Sequence, residues 1–366
     1  MESFTRKDTR ICKGIAVILL IVHHSVAVLA ATTFLSGTEI MSQAVSLTKL
    51  CVGIFSVLSG YGLYCSFDRK EEKSVRTAAG FVGNHLLKIY SVFWLTAAFL
   101  FAAVLLSGRT PADLYGEHAA ASFVLDMLGL SWLTGTGMFV NSWWYITLIL
   151  VDYILFPVLY FLLKRLNIFL VWLLIFTALL IPAVCGENNV AVYSFFFLYG
   201  MIFARLDLFT RLLDLPKDGE KRPGFGVLLC LLYAGILFLL CVIRQTAGSG
   251  WKVQYYMDWL ISAVLIALVS RCVHMLRWRR RGPLEFLGEY SFEIYLVHGT
   301  ILKYFSGFVY RDFFWGHVIL RLLIASAVCG WLIRRVEILL HLPGTRRLLP
   351  HISGDGGEKE SVNEKK

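Results

Sequence analysis

Charge is scarce in this chain. Only 16% of its 366 residues are Asp, Glu, Lys or Arg, against roughly 25% in an ordinary soluble domain. Hydrophobic residues make up 57%, and the mean hydropathy is +0.67. A water-soluble globule has no place to hide that much apolar surface, so a soluble enzyme is excluded. A disordered chain is excluded as well, because its composition is the opposite. Paired cysteines are also missing. The eight cysteines are scattered, none in a C-x-x-C arrangement, and most lie in apolar runs. They read as small buried hydrophobes, neither a disulfide framework nor a zinc site, and no metal is expected. There is no P-loop, no G-x-S-x-G elbow, no H-E-x-x-H, and no G-x-G-x-x-G followed by an acidic residue. Nucleotide hydrolysis, a serine-hydrolase elbow and zinc chemistry therefore lack support.

What is present is a series of long apolar runs. They fall at about 14–34, 44–66, 90–106, 142–163, 168–184, 190–204, 225–243, 257–276, 286–305 and 317–340. At about 20 residues per span, they predict an all-α integral membrane protein with about ten transmembrane helices in the lipid bilayer. The first run lacks a small-residue cleavage site and continues to about the length of a span, so it reads as a helix and not as a signal peptide. The net charge of +10 then reflects loop orientation and does not call for nucleic acid. With both termini in the cytoplasm, all but seven of the 35 Lys and Arg residues fall inside. The seven are Lys49, Arg109, Arg244, Lys252, Lys303, Arg311 and Arg321. The apolar stretch 119–133 carries Asp126. Counting it as a span would move most later basic residues outside, so it is expected to be interfacial or re-entrant within an external stretch 107–141. The chain divides into a multi-pass domain, 1–340, and a short cytoplasmic tail, 341–366, whose polar sequence reads as disordered.

Ionisable side chains inside spans are costly and need a reason. The first span reads KGIAVILLIVHHS, with Lys13, His23 and His24. Lys13 and His24 are eleven positions apart, which returns them to within about 20° of one another on a helix and places His24 about 16 Å deeper. His23 points about 100° away. In the ninth span Ser291, Tyr295 and His298 share a face by their i, i+4, i+7 spacing. His298 falls at nearly the depth of His24, and Asp152 lies near the middle of the fourth span. Two readings stand: interhelical hydrogen bonds that hold a bundle together, or a polar cavity that does chemistry. Weaker features surround these. Ser59 and Tyr61 sit beside Gly60 and Gly62, which permit close helix approach. Lys88 is either a snorkelling anchor or a phosphate ligand. Trp143 and Trp144 are either part of an aromatic belt or a stacking surface for a sugar.

The pieces KGIAVILLIVHHS, LSGYGLY, KIYSVFW, SWWYITLILVDYILFPVLY and LGEYSFEIYLVHGTI occur in this order. Together they resemble the acyltransferase-3 family of integral membrane acyltransferases, over about residues 8–340. The resemblance implies transfer of an acyl group, acetyl in most members, from cytoplasmic acyl-CoA to a hydroxyl of a carbohydrate or glycolipid of the cell envelope. It implies a multi-pass protein of the cell membrane with acyl-CoA as donor substrate and no permanently bound cofactor. The family signature, a basic residue ten intervening positions before a histidine, falls on Lys13 and His24. Lys stands where many members have Arg, which removes the planar fork of a bidentate phosphate clamp. Lys88 and Ser91 replace the family's frequent Arg and Pro. The extracytoplasmic hydrolase-like domain of some members is missing, so the chain must deliver the acyl group itself or pass it to a separate extracytoplasmic partner.

The chemistry this resemblance implies assigns the general base to His24. Orientation or oxyanion support goes to Tyr295 and His298, and Asp152 is a polariser. Lys13 and Lys88 bind acyl-CoA phosphates, with Ser59 and Tyr61 lining the entrance, and Trp143 and Trp144 meet the acceptor. A proton-coupled secondary transporter or flippase would use the same mid-membrane His and Asp residues. It would also show weak two-fold pseudo-repeats, which are not visible.

Overall fold

In the computed structural model, the described residues are 3–32, 45–116, 118–167, 170, 188–214, 223–246, 251–276, 282–312 and 314–343. Among them there are helices and no strands. The main helices are α1 (Arg6–Thr32), α2 (Leu50–Asp68), α3 (Val75–Leu106), α4 (Trp144–Arg165), α5 (Asn189–Arg205), α6 (Pro223–Thr246), α7 (Trp251–Met275), α8 (Ser291–Tyr304) and α9 (Trp315–Leu339). Seven helices among the described residues are long and apolar enough to cross a membrane: α1 to α4, α6, α7 and α9. The 17-residue α5 is apolar but shorter. The expected span 168–184 lies almost wholly outside the described residues, as does most of the expected tail.

Several boundaries differ from the sequence reading, each for a local reason. The third span was expected to begin at residue 90, but α3 begins at Val75. Ser74 caps it, its hydroxyl accepting from the Thr77 N–H at 3.1 Å. Lys88 therefore lies in the middle of a 32-residue helix and not at its start. The stretch 119–133 contains a nine-residue helix, Ala119–Met127. That length rises only about 14 Å, less than half of a bilayer core. Asp126 is what folds it back: its Oδ2 accepts from the Tyr115 hydroxyl at 2.9 Å and from the Phe139 N–H at 2.8 Å. The ninth span, read as one run over 286–305, is two helices. A short helix, Pro283–Glu289, meets α8 at Tyr290.

Two close crossings set the helices around the polar centre. A Cβ on Gly14 would lie 2.0 Å from the Leu284 carbonyl oxygen, and one on Gly288 would lie 1.7 Å from that of Arg10. The backbone of α1 thus touches that of Pro283–Glu289, and Arg10 adds a 2.7 Å ion pair to Glu285. A Cβ on Gly60 would lie 1.9 Å from the Phe197 carbonyl, and one on Gly200 would lie 2.0 Å from that of Val57. This locks α2 onto α5. Gly62, its companion in the sequence, has nothing within 4 Å and plays no such part. Helices packed without a hydrophobic drive rely on small residues of this kind. Farther off, Arg244 and Asp258 form a buried 2.5 Å ion pair between α6 and α7, and Arg244 also donates to the Ser46 carbonyl at 3.0 Å.

Candidate active site

The crossing of α1 with the Pro283–Glu289 helix brings the two expected histidines together. The rings of His24 and His298 have centroids 4.9 Å apart. His298 is fully buried, and its Nδ1 lies 2.6 Å from the Tyr295 carbonyl oxygen. A carbonyl only accepts, so Nδ1 carries the hydrogen. The lone pair of a neutral His298 is therefore on Nε2, which is buried without a hydrogen-bond partner. His23 stacks edge-on against His24 at 5.0 Å, but its Nδ1 is engaged with Val45 O at 3.0 Å and Thr48 Oγ1 at 3.1 Å. Its polar edge is thus tied to the segment that precedes α2.

Two cavities meet at this point. The first, about 290 Å³, holds Lys13, Ser59, Lys88, Ser291, Glu293 and Arg334 among its walls. We call it the Lys13 cavity. The second, about 150 Å³, is lined by His23, His24, Trp144, Tyr193, Asn189 and Tyr255 among others. We call it the His24 cavity. Phe55, Tyr145 and Tyr295 line both and form the wall between them. A third space, a groove of about 960 Å³, is lined by Arg6, Arg69, Lys70, His85 and Lys88 and, among the described residues, by no acidic side chain. His85 and Lys88 line both the groove and the Lys13 cavity, so the two are adjacent.

The remaining expected residues divide. Ser59 and Lys88 reach the Lys13 cavity. Tyr61 does not line either cavity; it packs against Phe4 and Phe209, with ring centroids at 5.0 and 5.3 Å. Trp144 lines the His24 cavity, but Trp143 does not. Trp143 is buried and donates its indole N–H to the Leu296 carbonyl at 3.1 Å, which makes it a support for α8 and not a stacking surface. Asp152 is buried beside Ser194 and lines neither cavity. The expected joint depth of Asp152 with the histidines does not bring it to them, because its side chain leaves α4 toward α5. Tyr295 lies between the cavities as expected, but its hydroxyl donates to the Ser142 carbonyl at 2.7 Å. Its hydrogen is committed there, which removes it as an oxyanion donor in this arrangement.

The sequence reading missed Glu293 and Arg334. Glu293 is fully buried and paired with Arg334, which also reaches Glu337 at 3.3 Å. A carboxylate within an apolar span was the available signal for Glu293. Arg334 falls within the last expected span, 317–340, and nothing local marked it as a cavity residue. The aromatic lining by Phe55, Tyr193 and Tyr255 had no local signal either.

The helices, their hydropathy and the paired cavities define an all-helical, multi-pass membrane protein with a histidine pair at its polar centre. The chain belongs to the acyltransferase-3 family, whose acyltransferase domain matches residues 9–335. It is therefore an acyltransferase of the membrane. No curated protein and no solved structure matches it.

Proposed function

We propose that the protein moves an acyl group, acetyl in the first instance, from cytoplasmic acyl-CoA to a hydroxyl of a cell-envelope or extracellular carbohydrate, in the cell membrane. The observation that carries this reading is the wall shared by two unlike cavities. One holds Lys13, Lys88 and Arg334 beside Glu289 and Glu293 and adjoins a basic groove; the other is aromatic and holds His24. In this reading both termini, the groove and the Lys13 cavity face the cytoplasm, where the basic residues gather. The phosphates of acyl-CoA lie in the groove and beside Lys13 and Lys88, and the pantetheine arm leads the thioester to the wall. The acceptor enters the His24 cavity and lays a sugar face on Trp144, as polar-edged aromatic rings permit.

The transfer then needs no further group. The acceptor oxygen attacks the thioester carbon and its proton passes to His24 as the C–O bond forms. The C–S bond breaks, and the proton held by His24 passes to the CoA thiolate, which leaves as the thiol and returns His24 to its neutral form. A base of this kind is worth about 10²–10⁴ in rate. His298, fixed by the Tyr295 carbonyl, lines neither cavity and backs the His24 ring, with centroids 4.9 Å apart. The test is mass spectrometry of envelope glycans from cells with the gene, without it, and with His24→Ala. An acyl mark that is lost in the last two supports the reading. Identical glycans in all three, with no CoA binding by the purified protein, would sink it.

A further inference from the structure

Of the three residues in the wall, two are polar-edged and one is not. Tyr295 is held by its hydrogen bond to the Ser142 carbonyl, and Tyr145 stacks on it with ring centroids 5.3 Å apart. Phe55 stands on α2 at 6.4 Å from Tyr145 and closes the third side with a plain hydrocarbon ring. An acyl group that goes from a thioester in the Lys13 cavity to a hydroxyl beside His24 must pass this ring. The CoA body stays behind, so the acyl chain is the only part of the donor that the wall inspects. The space beyond is the smaller of the two cavities, about 150 Å³ against about 290 Å³, and the acceptor must share it. Leu20, Cys51 and Val52 bound it on the apolar side. Each further methylene of the donor therefore meets either Phe55 or the room the acceptor needs.

We propose that Phe55 sets the acyl length: with Tyr145 and Tyr295 it admits a two-carbon chain and turns away chains of four carbons or more. This rests on the acyl-CoA reading above. Packed interiors resist added volume because neighbours relax only in part. One methylene at a fitted apolar site changes selectivity by about 10- to 200-fold. Phe55 is the determinant because the other two rings are fixed by their neighbours. Replacing Phe55 opens the wall without freeing a buried polar group.

The test uses the full-length protein in nanodiscs and equilibrium displacement of radiolabelled acetyl-CoA by acetyl-, propionyl-, butyryl- and octanoyl-CoA. In the wild type, butyryl-CoA is expected to bind at least about tenfold more weakly than acetyl-CoA. Phe55→Ala should bring the two to within about threefold, and Phe55→Leu should move partway. Phe55→Trp should act in the opposite sense and weaken propionyl-CoA relative to acetyl-CoA. Thermal melting identifies the folded variants, and any one of the three is sufficient to read the direction. Equal binding of acetyl- and butyryl-CoA by the wild type would overturn the proposal, as would an unchanged ratio in the folded variants. A wild type that binds no CoA thioester would instead overturn the donor reading itself.

Discussion

The Lys13 cavity and the His24 cavity lie end to end along α1, yet they are built from different chemistry. One is walled by Lys13, Lys88, Glu293 and Arg334, the other by Trp144, Tyr145, Tyr193 and Tyr255. Charge acts over a Debye length of about 8 Å at physiological salt and is weakened by salt; ring contact acts only at touching distance and is not. A ligand with phosphates is captured by the first kind of surface, and a neutral ring with hydroxyls by the second. On the proposed reading, donor and acceptor are held by different surfaces and meet only where the acyl group passes the three aromatic rings into the His24 cavity.

Four measurements break or sharpen this contrast. The largest effect is expected at the junction. His24→Ala should lower acyl transfer by about 10²–10⁴-fold, whereas His23→Ala should retain substantial activity because its polar edge is already used by Val45 and Thr48. Envelope glycan acylation in complemented cells reads both. Equal losses in folded variants would return His24 to a structural role.

On the charged side, Arg334→Ala leaves Glu293 and Glu337 buried without their shared cation. Breaking a buried pair from one side costs about 3–5 kcal/mol, so thermal melting in detergent should show a large fall. A small fall would mean that solvent reaches the cluster and that the Lys13 cavity is wetter than its walls suggest. Lys13→Ala should weaken acetyl-CoA binding by about ten- to a hundredfold, the usual value of a charge-assisted contact. Lys13→Arg should retain most of the affinity, and added salt should shrink the difference. Equal affinity of wild type and Lys13→Ala would remove Lys13 from the donor site.

The smallest effect lies away from both cavities. Burial raises the Asp126 carboxyl from 3.8 to about 6, against the pull of the Phe139 N–H and the Tyr115 hydroxyl. A raised carboxyl favours the folded state while it is protonated. Its contribution is therefore whole below about 4 and is lost as the pH rises through about 6. Each pH unit in that window is worth at most about 1.4 kcal/mol. Hydrogen-exchange protection of residues 119–139, taken relative to the intrinsic rate at each pH, should fall from about pH 4 to about 6.5 in the wild type and stay flatter in Asp126→Asn. The reverse slope would mean that the carboxyl is ionised in its buried site.

Helical periodicity is local, and what it governs was legible. Lys13 lines the charged cavity and His24 the aromatic one, and Ser291 and Tyr295 both line the charged cavity, while His298 meets the His24 ring without lining either. Scarcity of charge and the order of five sequence pieces were sufficient for the class and the family. What sequence spacing does not contain is the neighbour that a side chain meets. Asp152 was expected at the depth of the histidines, but its side chain leaves the helix toward Ser194. Trp143 and Trp144 are adjacent, yet one indole supports Leu296 from within and the other opens on a cavity. Tyr295 spends its hydrogen on Ser142, and Glu293 finds its cation 41 positions later at Arg334. The break at Tyr290 follows Gly288, which lies on the Arg10 carbonyl in a contact made across most of the chain. Each of these depends on which helices cross and how closely. The small residues of α1, α2 and α5 permit those crossings, but only the packed bundle selects them, since a backbone contact has energy only when both backbones are in place.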